Sequence, residues 1–312
     1  MQGTWPSFNL TAWELIVALV RGLFVAALLS TFGSCLFRKL VVPSALALVK
    51  GDEAKELDRA CLQIARWSSL LAILVLLVWL VLESGLMADA QTVGEAFAAV
   101  PSVIWSTSFG HVLAAQALVL LATVTALSLQ WRHSPLATTV SAGIAVLLQA
   151  AHSHALAMHE GTLLVSQGLH LVGAGAWLGA LLPLLIFVWN APLNSSALAA
   201  QSFSPVGIGS VLVIASTAAL QSWMLVGSVS TLLTSAYGLV ALFKLTLFAL
   251  LLVFAALNYL RLVPALARSP TRITRVSLVR SISVETALGM LVVLAAGLLS
   301  SLEPGIHAHG TP

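Results

Sequence analysis

The segment Leu147–Pro183, LLQAAHSHALAMHEGTLLVSQGLHLVGAGAWLGALLP, decides the fold and the function class of this chain. It predicts the end of one membrane helix, a short polar turn and most of the next helix. Four histidines lie in it: His152, His154, His159 and His170. Polar residues in or beside a membrane cost free energy, so such a cluster indicates a functional site. We expect the rest of the chain to be apolar scaffold that sets the depth and sidedness of this cluster.

The composition is that of a membrane protein. Of the 312 residues, 59% are hydrophobic and only 8% are charged, and the mean hydropathy is +1.02. These values exclude a soluble domain and predict an all-α polytopic membrane protein. The net charge of +3 does not indicate nucleic-acid binding, because the basic residues follow a membrane topology. The two cysteines, Cys35 and Cys61, give no disulfide framework.

Eight apolar runs are long enough to cross a bilayer as helices, which needs about 20 residues each. They are too long and too continuously apolar for the alternating strands of a membrane barrel. We expect one membrane domain over residues 1–312, and a first helix that is retained rather than removed as a signal peptide. The predicted spans are 13–37, 67–87, 103–130, 136–157, 163–189, 205–226, 236–262 and 278–302.

The basic residues outside or at the borders of these spans all fall on one side of the predicted membrane. Residues 38–66 contain six of them, and the loop before the last span with its borders contains five more. The positive-inside rule makes this side cytoplasmic and puts both termini outside. We expect 38–66 to be a cytoplasmic loop, with a solvated chain near residues 51–59 in preference to a short helix.

This topology places seven of the eight histidines toward the outer face. Imidazole combined with thioether suits copper, whereas imidazole alone also suits zinc, nickel or haem iron. His154 and Met158 are four residues apart and share a helix face, and His111 lies at a depth similar to that of His170. The candidate metal ligands are therefore His111, His152, His154, Met158, His159 and His170. For the two intramembrane histidines, a purely structural role in a tightly packed helix stays open.

Several further polar or aromatic residues lie inside predicted spans: Arg21, Trp177, Lys244, Asn258 and Glu285. An intramembrane charge is expected to face the interior of the bundle, and we expect Glu285 to meet Arg280 or another basic group of the inner side. Structural charge pairing is the alternative role. Arg21 and Lys244 argue against a simple cation pore, because unpaired positive charge repels a metal ion.

Three blocks of the C-terminal half resemble the copper resistance protein D (CopD/PcoD) family. They are LHLVGAGAWLGALLPL from Leu169, YGLVALFKLTLFALLLVFAALNYLRLVPAL from Tyr237 and LVRSISVETALGMLVVLAAGLLSSLEP from Leu278. AHSHA, which contains His152 and His154, is a weaker fourth block, and residues 163–302 are the part most similar to the family. One departure is Ala180, which stands where the family has a second glycine after the tryptophan.

The resemblance implies a multi-pass protein of the bacterial inner membrane that handles copper ions, often with a periplasmic copper carrier of the CopC type. It also implies that His170, Trp177, Lys244, Asn258 and Glu285 are the family-like polar positions, whereas His111 is a candidate from the residues alone. The expected function is copper uptake from a His- and Met-lined periplasmic site, in contact with membrane lipid and without enzymatic activity. No P-loop is present to couple ATP hydrolysis.

Two other functions stay open at this point. His111 and His170 on two helices could ligate a haem, with Arg21 or Lys244 meeting its propionates, in an electron-transfer protein or metalloreductase. A copper sensor or assembly factor, which binds copper without moving it, is the third hypothesis. The oligomeric state is not indicated by the sequence.

Overall fold

Nearly all of the chain that can be described is helical. The computed structural model describes residues 11–49, 51–129, 134–152, 161–226, 232–233 and 235–302, and no strand occurs in these ranges. The helices are α1 (Ala12–Leu40), α2 (Val42–Leu46), α3 (Asp52–Met87), α4 (Val93–Ser106), α5 (Ser108–Leu129), α6 (Ser134–Gln149), α7 (Gly161–Asn190), α8 (Leu193–Val226), α9 (Ala236–Leu257), α10 (Val263–Arg268) and α11 (Arg272–Leu299). A 3₁₀ turn, Ala150–His152, follows α6, and a π-helical turn, Asn258–Leu262, joins α9 to α10.

Eight of the described helical segments are long and apolar enough to cross a membrane, which confirms the predicted all-α fold with eight spans. They are Ala12–Leu40, Asp52–Met87, Ser108–Leu129, Pro135–His152, Gly161–Asn190, Leu193–Leu225, Ala236–Arg268 and Arg272–Leu299. The additional helix α4 is apolar but too short to count among them.

The largest difference from the predicted secondary structure lies between the first two spans. We expected a solvated chain near residues 51–59, but α3 begins at Asp52 and continues without interruption into the second span. The segment is helical because Leu57 and Cys61 are buried at a helical spacing, and Lys55 pairs with Asp52 three residues earlier. High charge density here marks an amphipathic helix end rather than a loop.

Side-chain caps begin several of the helices. The Thr11 hydroxyl accepts a hydrogen bond from the Glu14 backbone N–H, and the Glu14 carboxylate accepts one from the Thr11 N–H at 2.7 Å. Thr271 and Thr274 form the equivalent pair at the start of α11. These caps satisfy backbone donors that have no partner inside the helix.

Helix α1 lies in the middle of the bundle, where it packs against α3, α6, α7 and α11. Its crossing with α7 is very close: a Cβ atom added to Gly33 would lie 2.2 Å from the carbonyl carbon of Gly179. Gly175 faces the Phe32 ring in the same crossing, at 2.7 Å from its added Cβ. Gly175 and Gly179, four residues apart on α7, therefore allow the two backbones to touch.

Contacts between helix ends define the two ends of the bundle. At the upper end the Trp13 indole donates to the Leu82 carbonyl at 3.3 Å, so the start of α1 lies beside the end of α3. At the lower end Arg38 forms a two-pronged ion pair with Asp58, at 3.0 and 2.9 Å. The basic residues Arg59, Arg268, Arg272 and Arg275 belong to helix ends on the lower side, as the positive-inside rule predicts for one face.

Helix α9 is the least enclosed span: it packs on α11, and within the described part of the chain it has no comparably close packing with α7 or α8. Spaces therefore remain between α9 and the helices opposite it, and these spaces contain most of the polar residues that the sequence singled out.

Candidate functional site

His152 lies in an aromatic enclosure at the upper end of α6. Its ring meets Trp79 and Phe109 edge-on, at centroid distances of 5.0 and 5.1 Å. The Arg21 side chain donates to the His152 carbonyl and lies over the Trp79 ring, 5.5 Å from its centroid. The Trp79 indole donates in turn to Glu83 at 2.9 Å. His152 is therefore held on both its backbone and its ring.

Two buried glutamines connect His152 to the bundle interior. The His152 Nε2 atom lies 3.1 Å from the Oε1 atom of Gln116. The Gln116 amide donates to the Ala145 carbonyl at 3.0 Å and to the Oε1 atom of Gln149 at 3.1 Å. Because the amide nitrogen of Gln116 is used in this way, its oxygen accepts a hydrogen bond from the Nε2–H group of His152. The lone pair of His152 is thus on Nδ1.

His170 has its orientation fixed by a threonine of α8. Its Nδ1 atom lies 2.9 Å from the hydroxyl oxygen of Thr217, which is itself 2.7 Å from the Val213 carbonyl. A hydroxyl has one proton, and when it goes to the carbonyl the threonine oxygen must accept from Nδ1–H. The imidazole is then neutral with a lone pair on Nε2, which is the state that binds metals, and a partner on the other nitrogen is the usual support for a metal-ligating histidine.

Two adjoining cavities occupy the upper half of the bundle, between α1, α7, α8, α9 and α11. The one that His170 lines has a volume of about 190 Å³, and we call it the His170 cavity. The other has a volume of about 140 Å³ and is lined by Arg21 and Gln149; we call it the Arg21 cavity. Both are lined by the polar residues Gln167, Gln221, Tyr237 and Lys244.

A third cavity, the lower cavity, has a volume of about 280 Å³ and lies between α7, α8, α9 and α11. Trp177 lines both the lower cavity and the His170 cavity. Its side chain is buried and meets the Phe248 ring edge-on at 6.3 Å. Trp177 therefore stands between an upper and a lower compartment of the same bundle.

The lower cavity is lined by the polar residues Ser204, Asn258, Tyr259 and Glu285. The Asn258 amide donates to one carboxylate oxygen of Glu285, which is almost fully buried. The Asn258 oxygen is buried without a hydrogen-bond partner, so it is left as a free acceptor beside the carboxylate. Asn258 also begins the π-helical turn, a distortion that often accompanies functional sites in helices.

The expected pairing of Glu285 with Arg280 is not formed. Five residues separate them on α11, which places them on different faces of the helix, and Glu285 has Asn258 as its partner instead. Within the described ranges the salt bridges are Arg38–Asp58 and Lys55–Asp52. Structural charge pairing therefore does not account for Glu285, Lys244 or Arg21 there.

The remaining candidate ligands are not assembled with His170. His111 is exposed on α5, where its Nε2 atom bonds to the Trp105 carbonyl at 3.2 Å, so it shares no described contact with His170. His154, Met158 and His159 lie outside the described residues. Across the described ranges, no three His, Cys, Asp or Glu side chains come together in a way that could hold a metal ion.

The sequence reasoning missed the uncharged residues that surround these histidines. Thr217 orients His170, Gln116 binds His152, and Gln167 and Gln221 line the upper cavities. The sequence does contain a signal, because glutamine is rare in apolar spans. Four spans each carry one glutamine in their upper halves: Gln116, Gln149, Gln167 and Gln221.

Comparison with known families matches both halves of the chain. Residues 11–165 match the family described as copper resistance protein D-like, N-terminal domain, and residues 197–299 match the family copper resistance protein D. The first match extends the likeness to the helices that carry Arg21, Trp79, Gln116 and His152. No solved structure matches the chain.

Two relatives are informative. The chain is 30% identical over 162 residues to the copper transport protein CutJ of Bacillus subtilis (strain 168), a match that covers 50% of this chain and only 28% of that protein. It is 26% identical over 297 residues to the inner membrane protein YebZ of Escherichia coli (strain K12), covering 91% of this chain and 97% of the relative.

Proposed function

Because this chain belongs to the copper resistance protein D family, we propose that it transports copper across the bacterial inner membrane, in the direction of uptake. The observation that carries this proposal is the position of Trp177 between the His170 cavity and the lower cavity, where Asn258 and Glu285 lie. Side chains of types that can bind copper thus lie on both sides of one buried aromatic side chain.

Entry takes place at the upper end, which is the periplasmic face in this proposal. The Nδ1 lone pair of His152 and the Nε2 lone pair of His170 are the two imidazole donors on the proposed route. The pair Gln116–Gln149 leads from His152 to the Arg21 cavity, which shares lining residues with the His170 cavity. Copper captured near the end of α6, with His154, Met158 and His159 as further ligands, would pass to His170.

Trp177 is the barrier to further movement. It is almost completely buried, and its edge-on contact with Phe248 of α9 fills the space between α7 and α9. Since α9 packs closely on α11 but not on α7, a small displacement of α9 would move Phe248 away from Trp177. Opening of this contact would connect the two compartments without disrupting the α1–α7 crossing.

The lower cavity supplies the acceptor side. Glu285 and the free Asn258 oxygen are oxygen ligands, which bind copper less tightly than imidazole. A weaker second site favours release toward the cytoplasm. A periplasmic carrier of the CopC type that delivers copper to His152 fits this direction.

The test is copper binding and copper flux of the purified chain, wild type beside His170→Ala and His111→Ala. The two variants remove the same side chain, but His111 is exposed and bonded only to a backbone carbonyl in the described structure. We expect His170→Ala to lose bound copper and to reduce flux into proteoliposomes at least tenfold, and His111→Ala to resemble the wild type.

Equal behaviour of the two variants would refute the role of His170. Copper binding without flux in the wild type would instead favour the sensor or assembly-factor hypothesis. An absorption spectrum of the same sample tests the haem hypothesis. A Soret band in the wild type that is lost in His170→Ala would show that His170 ligates a haem and not copper.

A further inference from the structure

The Arg21 cavity is lined by two basic side chains. Arg21 of α1 and Lys244 of α9 both line it, and its other polar lining residues are Gln149, Gln167, Gln221, Tyr237 and Ser300. No Asp or Glu is among the described residues that line it. Intramembrane cations normally pair with a carboxylate or face a water-filled space, so two of them at one cavity require an explanation.

The direct contacts of Arg21 within the described ranges include no carboxylate, although the charge of Glu83 lies near enough to attract it. It donates to the His152 carbonyl and lies over the Trp79 ring, and both partners are uncharged. The nearby acid Glu83 accepts from the Trp79 indole and forms no salt bridge with Arg21. For Lys244, no ion pair is formed with any residue that the structure describes.

We propose that the Arg21 cavity is a binding site for a small anion that carries a phosphate or carboxylate group, held between Arg21 and Lys244. Guanidinium and ammonium groups form charge-assisted hydrogen bonds with such oxygens, and the neighbouring amide and hydroxyl groups provide further donors. The cavity volume of about 140 Å³ is well above the roughly 10–15 Å³ that one water needs on the same measure, so a small anion fits. This assignment does not depend on copper transport.

The anion has two possible sources, a free solute and the headgroup of an anionic lipid. The Arg21 cavity lies in the upper half of the bundle and Lys244 belongs to the loosely packed α9, so both sources can reach it. The chemistry is the same in either case, and the two sources are separated by experiment.

The experiment measures binding of radiolabelled inorganic phosphate to the purified full chain, without copper, in nanodiscs of phosphatidylcholine. Lys244→Met removes the charge while keeping an unbranched side chain, and Lys39→Met is the matched control at an exposed position. We expect Lys244→Met to weaken phosphate binding at least tenfold, Lys39→Met to leave it unchanged, and Lys244→Arg to retain it.

A second arm replaces phosphatidylcholine by phosphatidylglycerol and follows the thermal unfolding midpoint. Stabilisation of the wild type by phosphatidylglycerol that disappears in Lys244→Met, together with no binding of free phosphate, assigns the site to a lipid headgroup. If neither phosphate binding nor lipid stabilisation depends on Lys244, the proposed anion site is overturned, whatever the copper assays show.

Discussion

Replacement of Gly179 by alanine should separate α1 from α7 and weaken both stability and transport. The added Cβ atom would lie 1.9 Å from the Leu29 carbonyl oxygen and 2.6 Å from its carbon, both of which are backbone atoms that cannot rotate away. Ordinary contact begins at 3.4 Å, so the two helices must move apart by about 1.5 Å. Overpacking of this kind costs about 1–3 kcal/mol.

The matched control is Gly209→Ala on α8, where an added Cβ would meet no atom within 4 Å. Thermal unfolding of the purified protein should show a clearly lower midpoint for Gly179→Ala and an unchanged or higher one for Gly209→Ala, because alanine is the better helix former. Leu29 also lines the His170 cavity, so copper flux should fall with stability. Equal midpoints for both variants would refute the close α1–α7 crossing.

Three other predictions concern the transport route and the topology. Glu285→Gln keeps an acceptor for Asn258 but removes the charge. We expect copper to remain bound at the upper end while flux falls about tenfold or more, and unchanged flux would exclude the Glu285 carboxylate from the transport route. Trp177→Ala should raise passive copper leak by joining two cavities, whereas Trp223→Ala, at an exposed position, should not. The cysteine of a His159→Cys variant should react with an impermeant thiol reagent added from outside. Cys61, when it is accessible to solvent, should react only from inside, and the reverse pattern would invert the topology.

The number and the positions of the spans were predictable because hydropathy and length alone determine which segments can cross a bilayer. Gly175 and Gly179, which are small residues four apart in an apolar helix, indicate a close helix approach but not that α1 is the partner. The helical start of α3 was missed because its charges were interpreted as a loop. Leu57 and Cys61 are buried four residues apart among exposed charges, and this spacing favours a helix.

The partners within the site could not be predicted, because they depend on how each helix is rotated and on which helices are neighbours. Nothing local to His170 indicates that Thr217, 47 residues away, lies 2.9 Å from its Nδ1 atom. The pairing of Glu285 with Asn258 likewise joins two helices, and it involves the first residue of a π-helical turn that the sequence does not indicate. His111 and His170 lie at similar predicted depth, yet equal depth does not place two residues on facing helices.

The distribution of charge along the proposed route connects transport with the anion site. Arg21 and Lys244 make the upper cavities positive, whereas the lower cavity contains a carboxylate. A cation at about 4 Å from one unit positive charge is destabilised by about 1 kcal/mol in water and about 4 kcal/mol at an effective protein dielectric of about 20. Bare copper would therefore be repelled from His170, although that residue presents a lone pair suited to it.

An anion held between Arg21 and Lys244 removes this repulsion, and its absence restores it. Copper affinity at His170 should then rise with phosphate or with anionic lipid in the wild type, and Lys244→Met should bind copper at least as tightly with no dependence on either. If the copper affinity of the wild type does not change with phosphate or with anionic lipid, the anion site and His170 are not coupled.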